Sequence, residues 1–120
     1  MQERYYIHKV DLKGLVSQDF EHLLQTKKMQ GEKVCIVMEL DNTFDEWDIE
    51  KYVEAFERLS PDRIQITVNR DILSKPTLRQ IVEVEGALSH FANFDRYDEK
   101  AKCQYFTAGQ MEILFWNEPA

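Results

Sequence analysis

The sequence contains few cysteines, prolines, glycines and histidines, and the small numbers of cysteines and histidines each argue against one kind of site. Cysteine occurs 2 times, proline 3 times and glycine 4 times in 120 residues. Cys35 and Cys103 lack CxxC spacing and lie in strand-like segments, so they indicate buried reduced thiols and make a disulfide framework implausible. The 3 histidines are far apart and form no HxH or HxxxH pair, so the sequence predicts no zinc site.

Basic residues are scarce relative to acidic ones. The chain has 15 lysines and arginines against 22 aspartates and glutamates, which gives a net charge of −7. Such a surface repels nucleic acid phosphates, and no local cluster of bases offsets it, so we expect no nucleic acid partner. An acidic face would instead attract a basic partner protein, with an association rate that depends on salt.

Long hydrophobic segments are absent as well. No stretch has the length of a transmembrane helix, and no N-terminal stretch is of signal-peptide type, so the sequence predicts a cytoplasmic protein without a transmembrane segment. Hydrophobic residues still make up 43% of the chain, enough for a hydrophobic core. We expect residues 1–120 to form one domain.

The order of the predicted elements is strand then helix, repeated four times. Strands are predicted at residues 4–10, 33–40, 64–69 and 103–106, and the apolar residues on both sides of the second indicate a central strand covered on both faces. This alternation predicts an α/β fold with a mainly parallel central sheet of about four strands and alternating helices.

Capping residues predict where the helices begin. Ser17 is a candidate N-cap of the first helix, and Thr43 with Glu46 fits a capping box for the second, which ends at Ser60. Pro76 fits the first turn of a third helix, although residues 81–85 also fit a strand.

The last part of the chain has two interpretations. Residues 95–100 are predicted as a charged loop. Thr107 would then cap a closing helix in which Met111, Leu114 and Phe115 share a face, while a hairpin that turns at Ala108 and Gly109 is the alternative.

The segment from Glu39 to Glu50, in which the second strand ends, contains six acidic residues and no basic one. It comes directly after VCIVM at residues 34–38, the most apolar run of the chain. Ligands and partners of α/β proteins usually dock at the carboxyl ends of the strands, so we expect function here.

With these elements placed, the chain resembles the SpoIIAA-like branch of the sulfate transporter and anti-sigma antagonist (STAS) domains. GLVSQDF at residues 14–20 is similar to that family's glycine, turn and entry into the first helix. Residues 34–41, followed by FDEW at 44–47, look like its central strand and the aromatic entry into the second helix. CQYFT at 103–107 and ILFW at 113–116 look like its closing strand and terminal helix.

The resemblance implies a STAS-like fold without chemistry of its own, which binds a protein or a hydrophobic small molecule. STAS regulators bind anti-sigma kinases and are switched by phosphorylation of a serine at the start of the second helix. Residues 45–48 read DEWD, so the serine is missing and Thr43 is the only nearby hydroxyl. We therefore expect a regulatory or binding protein without the kinase-controlled switch.

An enzyme is the alternative hypothesis. ELDNT at residues 39–43 is similar to the Asp-x-Asp-x-Thr motif of haloacid dehalogenase-like phosphatases, and Glu39 and Asp41 would then serve a magnesium-dependent phosphate ester hydrolase. That chemistry needs an aspartate nucleophile where this chain has Glu39, and no partner lysine is evident, so we expect no enzyme and no catalytic residue. Asp41, Asp45 and Asp48 could hold Mg²⁺ or Ca²⁺, but acids collect at helix N-termini without a metal, and we expect neither metal nor other cofactor.

Aromatic residues indicate the surface that contacts a partner. Trp47 stands among acids and off the apolar stripe, which is the composition of a binding hot spot; a tryptophan folded back over the helix start as a hydrophobic staple is the other interpretation. The predicted partner-binding residues are Phe44, Asp45, Glu46, Trp47 and Asp48. Phe115 and Trp116 would cover a sheet edge or form a homodimer contact.

Overall fold

The structure, a computed structural model, describes residues 5–69 and 71–116, apart from the side chains of Leu12 and Glu46. Arg4, where the first strand was expected to begin, and the side chain of Glu46, a predicted binding residue, lie outside the described residues. The elements in chain order are β1 (Tyr5–Lys9), α1 (Leu12–Leu15), α2 (Gln18–Met29), β2 (Lys33–Leu40), α3 (Glu46–Leu59), β3 (Arg63–Val68), α4 (Leu78–Phe91), β4 (Asn93–Asp98), β5 (Cys103–Ala108) and β6 (Met111–Trp116). Among these described residues, none of the helices has the length and the apolar character of a membrane-spanning segment.

The strands form one mixed sheet in the order β1-β2-β3-β6-β5-β4. β1, β2, β3 and β6 pair in parallel, while β5 pairs antiparallel with both β6 and β4. The α/β class and the parallel first half are therefore as predicted. The expected number of about four strands is too low, because the described residues contain a six-stranded sheet.

The extra strands lie where a charged loop and a closing helix were predicted. β6 does not show the alternation of a half-buried strand, because its residues are apolar on both faces: Ile113 and Phe115 pack in the core, and Leu114 is also buried. Its sequence therefore also fits the predicted helix. The hairpin interpretation is correct, since β5 and β6 are joined at Gly109, whose φ of +64° suits glycine. β4 escaped prediction because it is an edge strand with a largely exposed, polar sequence.

All three long helices pack on the same face of the sheet. Each parallel connection steps in one direction along the sheet, and right-handed crossovers then place the helices on one side. The packing agrees: Phe20 of α2 contacts His8 of β1 with 5.0 Å between ring centroids, and Phe56 of α3 contacts Phe91 of α4 at 6.4 Å. The core fills the space between this layer and the sheet.

The expectation that β2 is covered on both faces is wrong. Val34, Ile36, Met38 and Leu40 point into the core, but on the opposite face Val37 is half-buried and Glu39 is exposed. No helix in the described residues covers that opposite face. Cys35 is nevertheless buried there among neighbouring strands, which explains why the sequence indicated two covered faces.

The predicted helices are present, but only some of the predicted capping residues are correct. Ser17 caps α2 as expected, since its hydroxyl accepts from the Phe20 N–H at 3.2 Å, and α3 ends at Ser60 in the left-handed conformation. α4 is a helix throughout, so the strand interpretation of residues 81–85 is wrong. Thr77 caps α4, and Pro76 precedes the helix, because the Thr77 hydroxyl and the Gln80 amide form a reciprocal capping box.

Candidate functional site

The start of α3 is held by two aspartates. The Asp48 N–H donates to the Asp45 carboxylate at 2.9 Å, and the Asp45 N–H donates back to the Asp48 carboxylate at 3.1 Å. The predicted capping box of Thr43 with Glu46 is therefore wrong. Thr43 instead donates from its N–H (2.9 Å) and from its hydroxyl to the carboxylate of Asp41, which fixes the loop before the helix. The negative charges of Asp45 and Asp48 also interact favourably with the positive end of the α3 dipole.

The two aromatic residues of this segment have opposite surroundings. Phe44 is 7% exposed and stacks on Tyr52, with 5.3 Å between ring centroids. Trp47 is 72% exposed, so the hydrophobic staple interpretation is wrong. Phe44 thus anchors the loop in the core, and Trp47 is the aromatic residue that a partner can reach.

A second loop is bound to this one by hydrogen bonds. The Asn42 N–H donates to the Ser74 carbonyl at 2.7 Å, and the Asn42 amide donates to the Leu73 carbonyl at 3.1 Å. The Gln80 amide of α4 donates to the carbonyls of Asn42 and Phe44. The loops after β2 and β3 are therefore joined into one ordered surface at the carboxyl edge of the sheet.

This edge exposes large apolar side chains that the sequence analysis missed. Ile72 is 87% exposed, Leu73 86% and Leu78 77%, and they lie on the loop after β3 and at the start of α4. We call these three residues and Trp47 the carboxyl-edge patch. The signal was present: β3 lies parallel to β2, so its carboxyl end reaches the same edge, and Ile72-Leu73 is an apolar pair inside a polar loop.

Carboxylates gather around a small cleft beside the patch. Asp11, Asp41 and Asp48 line a cleft of about 330 Å³ together with Glu39 and Tyr52. Burial first, and then the charges of the three aspartates, raise the pKa of Tyr52 to about 12. The phenol therefore stays protonated at neutral pH and is a hydrogen-bond donor rather than a base.

Glu39 and Asp41, the carboxylates of the alternative phosphatase hypothesis, each have a partner within the chain. Glu39 is paired with Lys9 at 3.4 Å, and Asp41 accepts from Thr43. Within residues 5–69 and 71–116, no group of three or more histidine, cysteine, aspartate or glutamate side chains is placed to hold a metal ion. Among the described residues that line the cleft, Lys13 carries the positive charge, and Lys9 lines an adjoining cleft that shares Asp11 and Glu39 with it.

The space between the helices and the sheet is small. An apolar cavity under α3 and α4 has a volume of about 20 Å³, which is room for about one water molecule. A hydrophobic small molecule would fit there only if the helices separated. Phe115 is also fully buried, so of the two aromatic residues near the chain end only the half-buried Trp116 could contact another molecule.

No family model, no curated protein and no solved structure matches the chain. The resemblance to SpoIIAA-like STAS domains therefore stays a prediction from the residues, and so does the binding role of Phe44, Asp45, Glu46, Trp47 and Asp48.

Proposed function

We propose that this is a cytoplasmic, non-enzymatic binding or regulatory protein of the SpoIIAA-like type, which recognises a protein partner without a phosphorylatable serine. The contact surface is the carboxyl-edge patch together with the acidic start of α3. Within the predicted set, Trp47 is the direct contact, Asp45 and Asp48 supply charge, and Phe44 positions the loop from below.

One observation carries this proposal: a tryptophan with 72% of its surface exposed stands on a capped helix start, at the same sheet edge as three more exposed apolar side chains. Exposed tryptophans on ordered surfaces are enriched among binding hot spots, because the side chain offers a large area and loses little conformational freedom on binding. A grouping of apolar side chains at one edge marks interaction sites more often than single exposed residues do.

A protein partner is favoured over a small hydrophobic ligand and over a second copy. The patch is an open surface, whereas the enclosed apolar cavity holds about 20 Å³. A second copy would bring the acidic starts of two α3 helices together, and the chain already carries a net charge of −7.

The test is a comparison of captured proteins. Wild type, Trp47→Ala and the control Tyr97→Ala are used as baits in an extract of the source cells. Tyr97 is 44% exposed on β4, which two strands of the sheet separate from β3. A protein retained by wild type and by the control but lost with Trp47→Ala is then purified, and its affinity is measured directly. We expect Trp47→Ala to weaken that affinity at least about tenfold and Tyr97→Ala to change it less than about twofold. Equal affinities for wild type and Trp47→Ala would exclude this surface.

A further inference from the structure

A groove runs between α3 and α4 on the outside of the helix layer. It has a volume of about 640 Å³ and is open to solvent. Its floor is apolar, and its lining residues are Ile49, Glu50, Val53, Glu54, Glu57, Glu83, Gly86, Ala87, His90 and Phe91. The α3 residues that line it span about two helical turns, so the groove is roughly 12 Å long.

The rim of the groove is acidic. Glu50, Glu54 and Glu57 form one wall and Glu83 stands on the other, and no lysine or arginine is among the described residues that line it. Arg79 lies outside the lining and pairs with Glu83 at 3.4 Å, so it compensates one of the four carboxylates. The remaining three glutamates all lie on the outer side of α3 and are exposed.

Gly86 gives independent support for an occupant. It lies in the interior of α4, where glycine destabilises a helix relative to alanine. The fold does not require it: a Cβ at this position would meet nothing within 4 Å, and its φ is not in the left-handed region. The chain's own packing therefore does not need a glycine here. Because Gly86 has no side chain, the backbone of another molecule can approach the groove wall closely at this point.

We propose that the α3–α4 groove binds one class of partner segment, a basic amphipathic helix. Its apolar face would lie on Val53, Ala87 and Phe91, and its lysines or arginines would reach the glutamates of the rim, which is the helix-in-groove mode of recognition. The α3 wall leads back to Trp47 at the start of the same helix, so the groove continues the proposed contact surface. This inference rests on the proposed function and adds the chemistry of the partner.

The probe is a fluorescein-labelled 18-residue peptide of leucine and lysine with all leucines on one helical face, and its binding is measured by fluorescence anisotropy. A peptide of the same composition, ordered so that it has no apolar face, is the control for charge attraction. We expect the amphipathic peptide to bind at least about tenfold more tightly than the control, with an affinity that falls as salt rises. Equal binding of the two peptides would contradict the role of the apolar floor.

Variants of the protein locate the binding. Gly86→Leu fills the groove and should weaken binding at least about tenfold, while Gly86→Ala should raise the melting temperature and change binding less. Glu54→Gln/Glu57→Gln should weaken binding at least about tenfold, but the matched control Glu32→Gln/Glu99→Gln, which removes the same charge elsewhere, should change it less than about threefold. Circular dichroism checks that each variant is folded, and the glutamine variants keep the test decisive if Gly86→Leu is not.

Equal losses in the two glutamine pairs, or full binding by folded Gly86→Leu, would overturn the groove proposal. This failure is distinct from failure of the proposed function. A captured partner that depends on Trp47 but is indifferent to Gly86→Leu would remove the groove and keep the carboxyl-edge patch.

Discussion

Phe44 and Trp47 are three residues apart in the sequence, but their surroundings predict a large effect on stability for substitution of Phe44 and almost none for Trp47. Phe44 is 7% exposed, lines the apolar cavity under α3 and α4, and stacks on Tyr52. Trp47 is 72% exposed. Substituting the buried residue should therefore unfold the protein more easily, and substituting the exposed one should not.

The expected magnitudes follow from these environments. Phe44→Ala removes a buried aromatic ring and leaves a cavity, which lowers the free energy of unfolding by about 3–5 kcal/mol. For a domain whose total is about 5–15 kcal/mol, that is a large fraction. Phe44→Leu keeps most of the volume but loses the ring contact with Tyr52, so we expect a loss of about 1 kcal/mol. Trp47→Ala should change stability by less than about 0.5 kcal/mol.

Urea unfolding followed by circular dichroism measures all four proteins. Trp47→Ala should leave both the midpoint and the slope of the urea transition unchanged. The two Phe44 variants should lower the midpoint, Phe44→Leu by less than Phe44→Ala. A loss above about 2 kcal/mol for Trp47→Ala, or below about 1 kcal/mol for Phe44→Ala, would refute the assignment of the two side chains.

Three further predictions concern the cap, the phenol and the thiols. Asp45→Ala should lower the free energy of unfolding by about 1 kcal/mol and Thr43→Ala by less than half of that, because Asp45 is the N-cap of α3. A larger loss for Thr43→Ala than for Asp45→Ala in urea unfolding would contradict this. Burial raises the folded-state pKa of Tyr52 to about 12, so the protonated phenol's contribution to stability is fully present below pH 10 and is lost as pH rises towards 12. Tyr52→Phe should therefore lose less stability over this pH range than wild type does. The same pH profile for both proteins would contradict the raised pKa. Burial also raises the pKa of Cys103 to about 11 and raises the pKa of Cys35. Both thiols should therefore react with a disulfide reagent at pH 8 at least about 100-fold more slowly in the folded protein than in urea. Equal rates in the folded and unfolded protein would contradict the burial of the thiols.

The first half of the fold could be predicted because its sequence signals are local. α3 has a strong helical periodicity and β2 is a continuous apolar run, and the bounds of β2 agree with the expected residues 33–40. The second half depends on tertiary pairing. β4 is a polar edge strand that acquires its structure from β5, and the apolar run of β6 fits a helix as well as a strand.

The candidate site was located by its acids, but its details depend on geometry. The acidic segment does lie at the carboxyl edge of β2, next to the start of α3. Which aromatic residue is buried could not be predicted, because Phe44 precedes the helix and its direction is set by the turn at Asp41. Ile72 and Leu73 could have been found as the apolar pair of a polar loop, but the hydrogen bonds that join this loop to the one after β2 could not be predicted, because neither loop alone encodes them.

The most direct test of the binding account uses the 2 tryptophans of the chain, which give separate indole N–H signals in a proton–nitrogen correlation spectrum. Trp47 lies at the carboxyl-edge patch, whereas Trp116 lies in β6 on the sheet face opposite the helices. The ¹⁵N-labelled protein is titrated with the partner isolated by the capture experiment. The account predicts that the Trp47 signal shifts or broadens while the Trp116 signal stays in place. Movement of Trp116 with an unchanged Trp47 would contradict it and transfer the contact to the open face of the sheet.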